Sequence, residues 1–108
     1  MESQGNMFYQ KRESILSQEE KIALEIYKYN YVKKEQIYFS KLTELFNGKI
    51  SRVTISKVID RLFDLGMISA SWEDHGGWIR SLYISGEYKE FFKDLYNNIY
   101  NMAYAVEA

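Results

Sequence analysis

The chain has 108 residues, which is enough for one domain with a modest core and an extension. Ten Tyr, six Phe and two Trp supply the large side chains that help a small domain bury surface. The absence of Cys excludes disulfides and thiolate metal sites, and the formal net charge of −1 argues against an indiscriminate nucleic-acid binder. No run approaches the roughly 18 apolar residues of a membrane span and no signal-peptide pattern opens the chain, so we expect a cytoplasmic protein.

The positive charge is concentrated in the middle of the chain. Residues 1–32 carry four basic and five acidic side chains (net −1), residues 33–72 carry seven and four (net +3), and residues 73–108 carry three and six (net −3). A local basic region is sufficient to contact phosphates in a chain that is weakly acidic as a whole. We therefore expect phosphate contacts in this middle segment.

The N-terminal part of the chain predicts an arm followed by a helix. Residues 1–16 are either a frayed tail or an arm or short helix that reaches a dimer partner or the DNA backbone through Lys11 and Arg12. Ser17-Gln-Glu-Glu20 is a capping box, and the helix that it opens is predicted to run to about Asn30. Residues 36–39 are short, aromatic and β-branched, which favours a brief strand.

A second helix follows after this brief strand. Ser40 is expected to cap it, and Gly48 is expected to end it. The residues that should face the core are Leu42, Leu45 and Phe46. Only two residues separate Gly48 from the N-cap of the next helix, and so short a link is typical of a helix-turn-helix.

The third helix is bounded by an N-cap Ser51 and by Gly66, which can adopt the left-handed conformation that ends a helix. Apolar residues at helical spacing should form its buried face, namely Ile55, Val58, Ile59, Leu62, Phe63 and Leu65. The residues expected to point away from the core are Val53, Lys57, Asp60 and Asp64. A short helix with one buried face and a varied N-terminal half is the profile of a recognition helix in the DNA major groove.

Two strand-like runs, 67–73 and 78–85, surround an Asp-His-Gly-Gly turn at residues 74–77 and predict a β-hairpin. A loop of residues 74–76 would place Trp72 opposite Trp78 as a cross-strand pair. The order helix, helix, turn, helix, hairpin is that of a winged helix. We therefore predict an α+β, mainly α, fold with a winged helix-turn-helix domain at residues 17–86.

Two stretches resemble the winged-helix core of MarR-type transcriptional regulators and related small archaeal and viral regulators: Thr54-Ile-Ser-Lys-Val-Ile-Asp-Arg-Leu-Phe-Asp-Leu-Gly-Met-Ile68 and Arg80-Ser-Leu-Tyr-Ile-Ser-Gly-Glu87. The resemblance covers about residues 17–90 and implies that Thr54, Ser56 and Lys57 touch bases or phosphates, with Arg80 in the wing. The chain departs from that family in its acidic, Gly-rich wing tip at 73–77 and in the short segment before its first core helix.

The candidate DNA-binding residues lie on and around the third helix and in the wing: Lys41, Lys49, Ser51, Arg52, Val53, Thr54, Ser56, Lys57, Arg61 and Arg80. Lys57 can contact a guanine or a phosphate. Val53 can contact a thymine methyl group, or it is an ordinary exposed side chain. Contacts to bases are expected only from the first two helical turns, because phosphates would repel Asp60 and Asp64.

The last segment, residues 87–108, predicts a helix about 30 Å long that Ser85 can cap. Its heptad seam, with spacings of 4, 3, 4, 3 and 4, consists of Tyr88, Phe92, Leu95, Ile99, Met102 and Val106. The seam either packs on its own domain or forms a homodimer. The length of the helix favours the homodimer, because residues 99–106 should overhang, but it does not distinguish parallel from antiparallel pairing.

Catalysis is not expected. His75, the only His, lies in the predicted hairpin turn and is a solvated turn residue or a phosphate contact rather than a general base. No phosphate-binding Gly loop or metal-ligand spacing is present, and no cofactor is expected. We predict a DNA-binding homodimeric transcription regulator, and a Tyr-, Ile- and Lys-rich composition suggests an archaeal or viral source. The alternatives are a winged-helix module for protein–protein interaction and a sensor that encloses an aromatic effector between the wing and the last helix.

Overall fold

The computed structural model describes residues 16–74 and 78–107, with side chains for 16–74 and 79–99. The predicted arm at residues 1–15 and the hairpin tip with His75 lie outside these ranges. In chain order the elements are α1 (Gln18–Tyr27), a π-helix (Lys28–Lys33), α2 (Phe39–Leu45), α3 (Arg52–Asp64), β1 (Ile68–Asp74), β2 (Trp78–Ile84), a 3₁₀ turn (Gly86–Tyr88) and α4 (Lys89–Glu107). The predicted winged helix-turn-helix fold is confirmed: helices pack on a two-stranded antiparallel sheet.

The capping box at the start of α1 is confirmed. The Ser17 hydroxyl accepts a hydrogen bond from the Glu20 amide at 3.0 Å, and the Glu20 carboxylate accepts one from the Ser17 amide at 2.9 Å. The predicted end near Asn30 is wrong, because the helix continues as a π-helix to Lys33. Lys34 then adopts the left-handed conformation at φ 57°, which ends the helix.

The π-helix places the amide of Asn30 against the outer edge of β2. Asn30 Nδ2 donates to the Leu82 carbonyl at 3.2 Å, and the Ile84 amide donates to Asn30 Oδ1 at 2.8 Å. The Leu82 amide donates to the Ile37 carbonyl at 2.9 Å. The strand predicted at residues 36–39 is therefore reduced to one isolated bridge, between Tyr38 and Ser81, because Asn30 occupies the next positions along the edge.

The start of α2 differs from the prediction. Tyr38 is the N-cap residue and makes no side-chain cap, whereas Ser40 lies inside the helix and its carbonyl accepts from the Thr43 hydroxyl at 2.7 Å. Leu42 is fully buried, as predicted, but Leu45 is 38% exposed. The helix has only seven residues, and the core lies on the side of Leu42 and the partly buried Phe46.

The boundaries of α3 are those predicted from its two end residues. The Ser51 hydroxyl accepts from the Thr54 amide at 3.2 Å, and Gly66 has φ +72°. The buried face is Ile55, Val58, Ile59 and Leu62, with Phe63 partly buried. Leu65 was predicted to be buried but is 55% exposed, because it is the C-cap residue beyond the last helical turn.

The strand pairing in the hairpin differs from the prediction by two residues. Asp74 pairs with Trp78 and Trp72 pairs with Arg80, so Trp72 and Trp78 do not face each other. The connecting residues are 75–77 rather than 74–76. Because side chains alternate with a period of two, this shift does not change the faces, and Trp72 and Arg80 lie on the same face as the buried Leu82 and Ile84 in either register.

The last helix starts without a side-chain cap from Ser85, whose carbonyl instead accepts from the Tyr88 amide in the 3₁₀ turn at 2.9 Å. Phe92 is 2% exposed within its own domain, and Tyr88, Leu95 and Ile99 are partly buried against the same core. Ile99 therefore does not overhang, contrary to prediction, and the first four seam residues contact their own domain. The side chains of Met102 and Val106 lie outside the described residues.

Replacing Asn30 with Ala should lower the free energy of unfolding by about 1–3 kcal/mol, because it leaves the partly buried Leu82 carbonyl and Ile84 amide without partners. Urea unfolding of the variant measures this loss. The matched control is Asn47→Ala at an exposed position, where a change within about 0.5 kcal/mol is expected. Equal effects at both positions would contradict a bridging role for Asn30.

Candidate nucleic-acid interface

The corner between α2 and α3 is a tight turn. Gly48 has φ +81°, and the amides of Lys49 and Ile50 both donate to the Phe46 carbonyl, at 2.8 and 2.9 Å. Ile50 is 8% exposed and anchors the turn to the core, whereas Lys49 is exposed. This arrangement fixes the angle between the two helices and directs the N-terminal end of α3 to the surface.

The first two turns of α3 present polar and basic side chains to solvent. Arg52, Ser56 and Lys57 are exposed, and Val53 is 64% exposed. Thr54 is half-buried, and its Oγ1 accepts a hydrogen bond from the Ser51 hydroxyl at 3.0 Å. The structure thus brings together most of the predicted site residues on one surface, and the exposure of Val53 confirms that it points away from the core.

The flank of α2 adds cations to this surface. The Arg52 guanidinium lies 5.2 Å from the centre of the Phe39 ring, a cation–π contact that holds it across the junction of the two helices. Lys41 lies 3.9 Å from the Glu44 carboxylate. A polar hollow lies between these helices and is lined by residues that include Ser40, Thr43, Asn47, Lys49, Ser51 and Arg52.

The second half of α3 has the opposite electrostatic character. Asp60 and Asp64 are exposed, and Arg61 lies 3.8 Å from the Glu19 carboxylate of α1. Lys57 makes no ion pair within the part of the chain that the structure describes. The surface of α3 itself is therefore basic and polar near its N-terminus and mixed or acidic toward its C-terminus, which favours phosphate contacts by the N-terminal half of the helix.

The wing contributes one cation at the other end of α3. The Arg80 guanidinium lies 4.5 Å from the centre of the Phe63 ring, so it stacks on the last turn of α3. Trp72, its partner on β1, is 63% exposed. Sequence reasoning paired Trp72 with Trp78 and did not include it among the surface residues.

A polar network joins the wing to the segment before α2. Oε1 of Glu73 accepts from Gln36 Nε2 at 2.6 Å, and Oε2 accepts from the Ser71 hydroxyl at 3.0 Å and from the Tyr83 hydroxyl. Gln36 Nε2 also donates to the hydroxyl of Ser81, which is fully buried. The network fixes the hairpin relative to the helix-turn-helix, and no local sequence pattern could have indicated contacts between residues 36 and 81.

Other site types find little support in the described residues. Within 16–74 and 78–107, no group of three or more His, Cys, Asp or Glu side chains is placed to hold a metal ion. No helix in the same part of the chain has the length and apolar character needed to cross a membrane. The surface around α3 is therefore the best-developed candidate site.

Comparison with known proteins supports the fold. Neither a protein-family model nor a curated protein matches the sequence. A solved structure, that of the circadian clock associated protein Pex from Anabaena, is similar with a TM-score of 0.59 and 21% sequence identity, covering 95% of this chain and 97% of that chain. At this identity the similarity shows a shared fold that extends over nearly the whole of both chains.

The Tyr83 contact makes stability depend on pH. The hydrogen bond to Glu73 raises the pKa of Tyr83 above its ordinary value of 10.0, and burial adds to the effect. A raised folded-state pKa means that the stabilisation is fully present below about pH 10 and is lost as the pH rises through the folded-state pKa. Tyr83→Phe should therefore lose less stability than the parent as the pH is raised above about 10, as measured by urea unfolding.

Glu73→Gln provides a matched variant, because it removes the charged acceptor while keeping the size of the side chain. It should reduce the dependence on alkaline pH in the same direction as Tyr83→Phe. The raised pKa of Tyr27, which is caused first by burial, contributes equally in all three proteins. Identical pH dependence in the parent and Tyr83→Phe would contradict this assignment.

Proposed function

We propose that this protein is a homodimeric, cytoplasmic transcription regulator of the MarR-like type that binds double-stranded DNA in a sequence-specific manner, with α3 in the major groove. The observation that carries the proposal is the outward face of the first two turns of α3. It presents exposed Arg52, Ser56 and Lys57 on a helix whose opposite face is buried in the core, directly after a tight helix-turn-helix corner. Such a helix can present its N-terminal residues to base edges while the preceding helix crosses the backbone.

The electrostatics favour the same docking. The N-terminus of α3 carries the positive end of the helix dipole together with Arg52 and the exposed Lys49, which suits contact with phosphates. Asp60 and Asp64 lie further along the helix and would be repelled by phosphates if the whole helix entered the groove. We therefore assign base contacts to the first two turns only.

Individual roles follow from chemistry and exposure. Lys57 is the best candidate for a guanine or a phosphate, and Thr54 and Ser56 can hydrogen-bond to several bases. Val53, which is 64% exposed, suits the methyl group of a thymine. We assign Arg80, which stacks on Phe63, to a phosphate contact from the wing, whereas the ion pair of Arg61 with Glu19 makes Arg61 a secondary candidate.

Dimerisation is assigned to the distal part of α4. Because Phe92 is buried in its own domain, and Leu95 and Ile99 are partly so, the inter-subunit contact is centred on the later seam residues Met102 and Val106. Two copies joined there can place two recognition helices in successive major grooves of a pseudo-palindromic site. Blocking or recruiting the transcription machinery is the effect expected from such occupancy.

A module for protein–protein interaction is the second candidate. The exposed apolar side chains of Val53, Trp72 and Phe91, with 64, 63 and 55% exposure, favour it, as does the net charge of −1. The two functions differ in their response to salt. Binding to duplex DNA weakens steeply as salt rises because counterions are released, whereas a largely apolar protein interface does not show this dependence.

Lys57→Ala should weaken binding to a selected DNA site by about 1–3 kcal/mol if Lys57 contacts a base. If Lys57 contacts only phosphate, all sequences should weaken alike and the salt slope should fall by about one. Sites selected from random duplex DNA, followed by fluorescence-anisotropy titration at several salt concentrations, distinguish the two. The double variant of Arg52 and Lys57 to Ala should lose most of the binding.

The matched control for the double variant is Lys33→Ala with Lys93→Ala, which removes the same charge from exposed positions outside α3. This control should keep near-parental affinity. If the Arg52/Lys57 variant instead binds as the parent does across the salt series, DNA recognition by α3 is wrong and the interaction module takes its place.

Replacing both Met102 and Val106 with Glu should yield a folded monomer with much weaker DNA binding, because bivalent binding gains from effective concentration. Sedimentation equilibrium measures the mass, and circular dichroism checks the fold. The control is Asn97→Glu with Asn98→Glu, two exposed positions on the same helix. An unchanged dimer in the Met102/Val106 variant would exclude the distal seam as the interface.

A further inference from the structure

The two outer edges of the hairpin differ in their backbone hydrogen bonding. The outer edge of β2 is closed, because the Leu82 amide and carbonyl and the Ile84 amide are bonded to Ile37 and Asn30. The outer edge of β1 faces no other strand in the part of the chain that the structure describes. An open edge offers unpaired backbone groups to another chain.

The hydrogen bonds of β2 reveal which β1 groups lie on that open edge. Leu82 directs its backbone groups away from β1, so Leu82 and its partner Ala70 form a non-hydrogen-bonded pair. Because such pairs alternate along an antiparallel ladder, Trp72, opposite Arg80, is oriented in the same way as Ala70. The amides and carbonyls of Ala70 and Trp72 therefore point outward and have no partner among the described residues.

We infer that β1 pairs in antiparallel orientation with β1 of a second copy of this chain, in a register centred on Ser71. This register joins Ala70 of each copy to Trp72 of the other in hydrogen-bonded pairs, the pairing that their outward backbone groups require. It also spans all seven residues of Ile68–Asp74, with Ile68 of each copy opposite Asp74 of the other.

The side chains of β1 are complementary in this register. Trp72, which is 63% exposed, lies opposite Ala70 of the other copy on the same face of the sheet. The two copies are related by a two-fold axis through Ser71, so this packing of a large ring over a small residue occurs twice. On the other face Glu73 lies opposite Ser69, and Ser71 lies opposite its own equivalent. No two acidic residues oppose each other, whereas centring the pair on Glu73 would place like charges together.

The edge also carries few of the features that prevent such pairing. Residues 68–72 contain no charged residue and no Pro, and β1 pairs with β2 without a bulge. The acidic side chains are confined to its last two residues, Glu73 and Asp74. Two copies meeting here form a four-stranded sheet from two wings, a contact separate from the proposed α4 interface and independent of DNA.

A single-cysteine experiment tests this register, because the natural chain has no Cys. In Ser71→Cys the two thiols would face each other in a non-hydrogen-bonded pair, with about 4.5 Å between Cα atoms, which lies within the range for a disulfide. In the matched control Ser69→Cys the same pairing separates the thiols by four residues, about 13 Å along the strand, which is beyond reach. Both Ser residues are exposed, so both variants should fold.

During mild oxidation of the full chain at about 100 μM, Ser71→Cys should form covalent dimers at least tenfold faster than Ser69→Cys, as measured on non-reducing gels. Adding Trp72→Lys to Ser71→Cys should abolish that advantage, while the control addition Val32→Lys, at a 50% exposed position in the π-helix, should not. Circular dichroism verifies that each variant is folded.

Two results would overturn the inference. Equal rates for the Ser71 and Ser69 variants would exclude a register centred on Ser71. Full cross-linking despite Trp72→Lys would show that the contact does not depend on Trp72 packing over Ala70, which the inferred pairing requires. Neither measurement involves DNA, so failure here leaves the proposed DNA binding standing, and failure of DNA binding leaves this contact standing.

Discussion

Asn30 joins the helical layer to the wing, and both halves of its amide take part. One side chain supplies the donor and the acceptor that a third strand would otherwise offer to Leu82 and Ile84. Since β2 is thereby held against the helices, its partner β1 and the Arg80 side chain acquire fixed positions relative to α3. The angle of the wing thus depends on a contact between residues more than fifty positions apart.

The electrostatic gradient along α3 restricts how the helix can be used. Its N-terminal half combines Arg52 and Lys57 with the positive end of the helix dipole, while Asp60 and Asp64 follow on the same outward side. A ligand rich in phosphate is favoured near the first turns and disfavoured near the last. The gradient therefore sets a direction of approach as well as a place of contact.

Local features were predictable from the sequence, and long-range ones were not. The Ser17 capping box and the Ser51 cap with Gly66 depend on neighbours within four residues, and each was identified correctly. The prediction of the hairpin register was wrong because the register is set by the loop conformation and by contacts of the sheet with the core. Ser40 has the side chain of a typical N-cap, but the N-cap of α2 is Tyr38, two residues earlier, where the bridge to Ser81 lies.

The candidate surface on α3 was largely predictable, since burial alternates with helical period and leaves Arg52, Val53 and Lys57 outside. What could not be predicted is how its neighbours are used. The stacking of Arg80 on Phe63 and the ion pair of Arg61 with Glu19 join segments distant in the chain. The packing of Ile99 against the core likewise depends on the path of the whole helix, which no heptad spacing contains.

The π-helix determines the direction in which the Asn30 side chain points. Its hydrogen bonds span five or more residues, as in the bond from the Lys34 amide to the Tyr29 carbonyl, so the segment accommodates one residue more than an α-helix of the same path. Loss of one residue between Tyr27 and Asn30 would restore α-geometry and turn Asn30 by about 100° around the helix axis, away from β2. The extra residue of the π-helix and the side chain of Asn30 are therefore both needed for the contact with β2, and losing either one removes it.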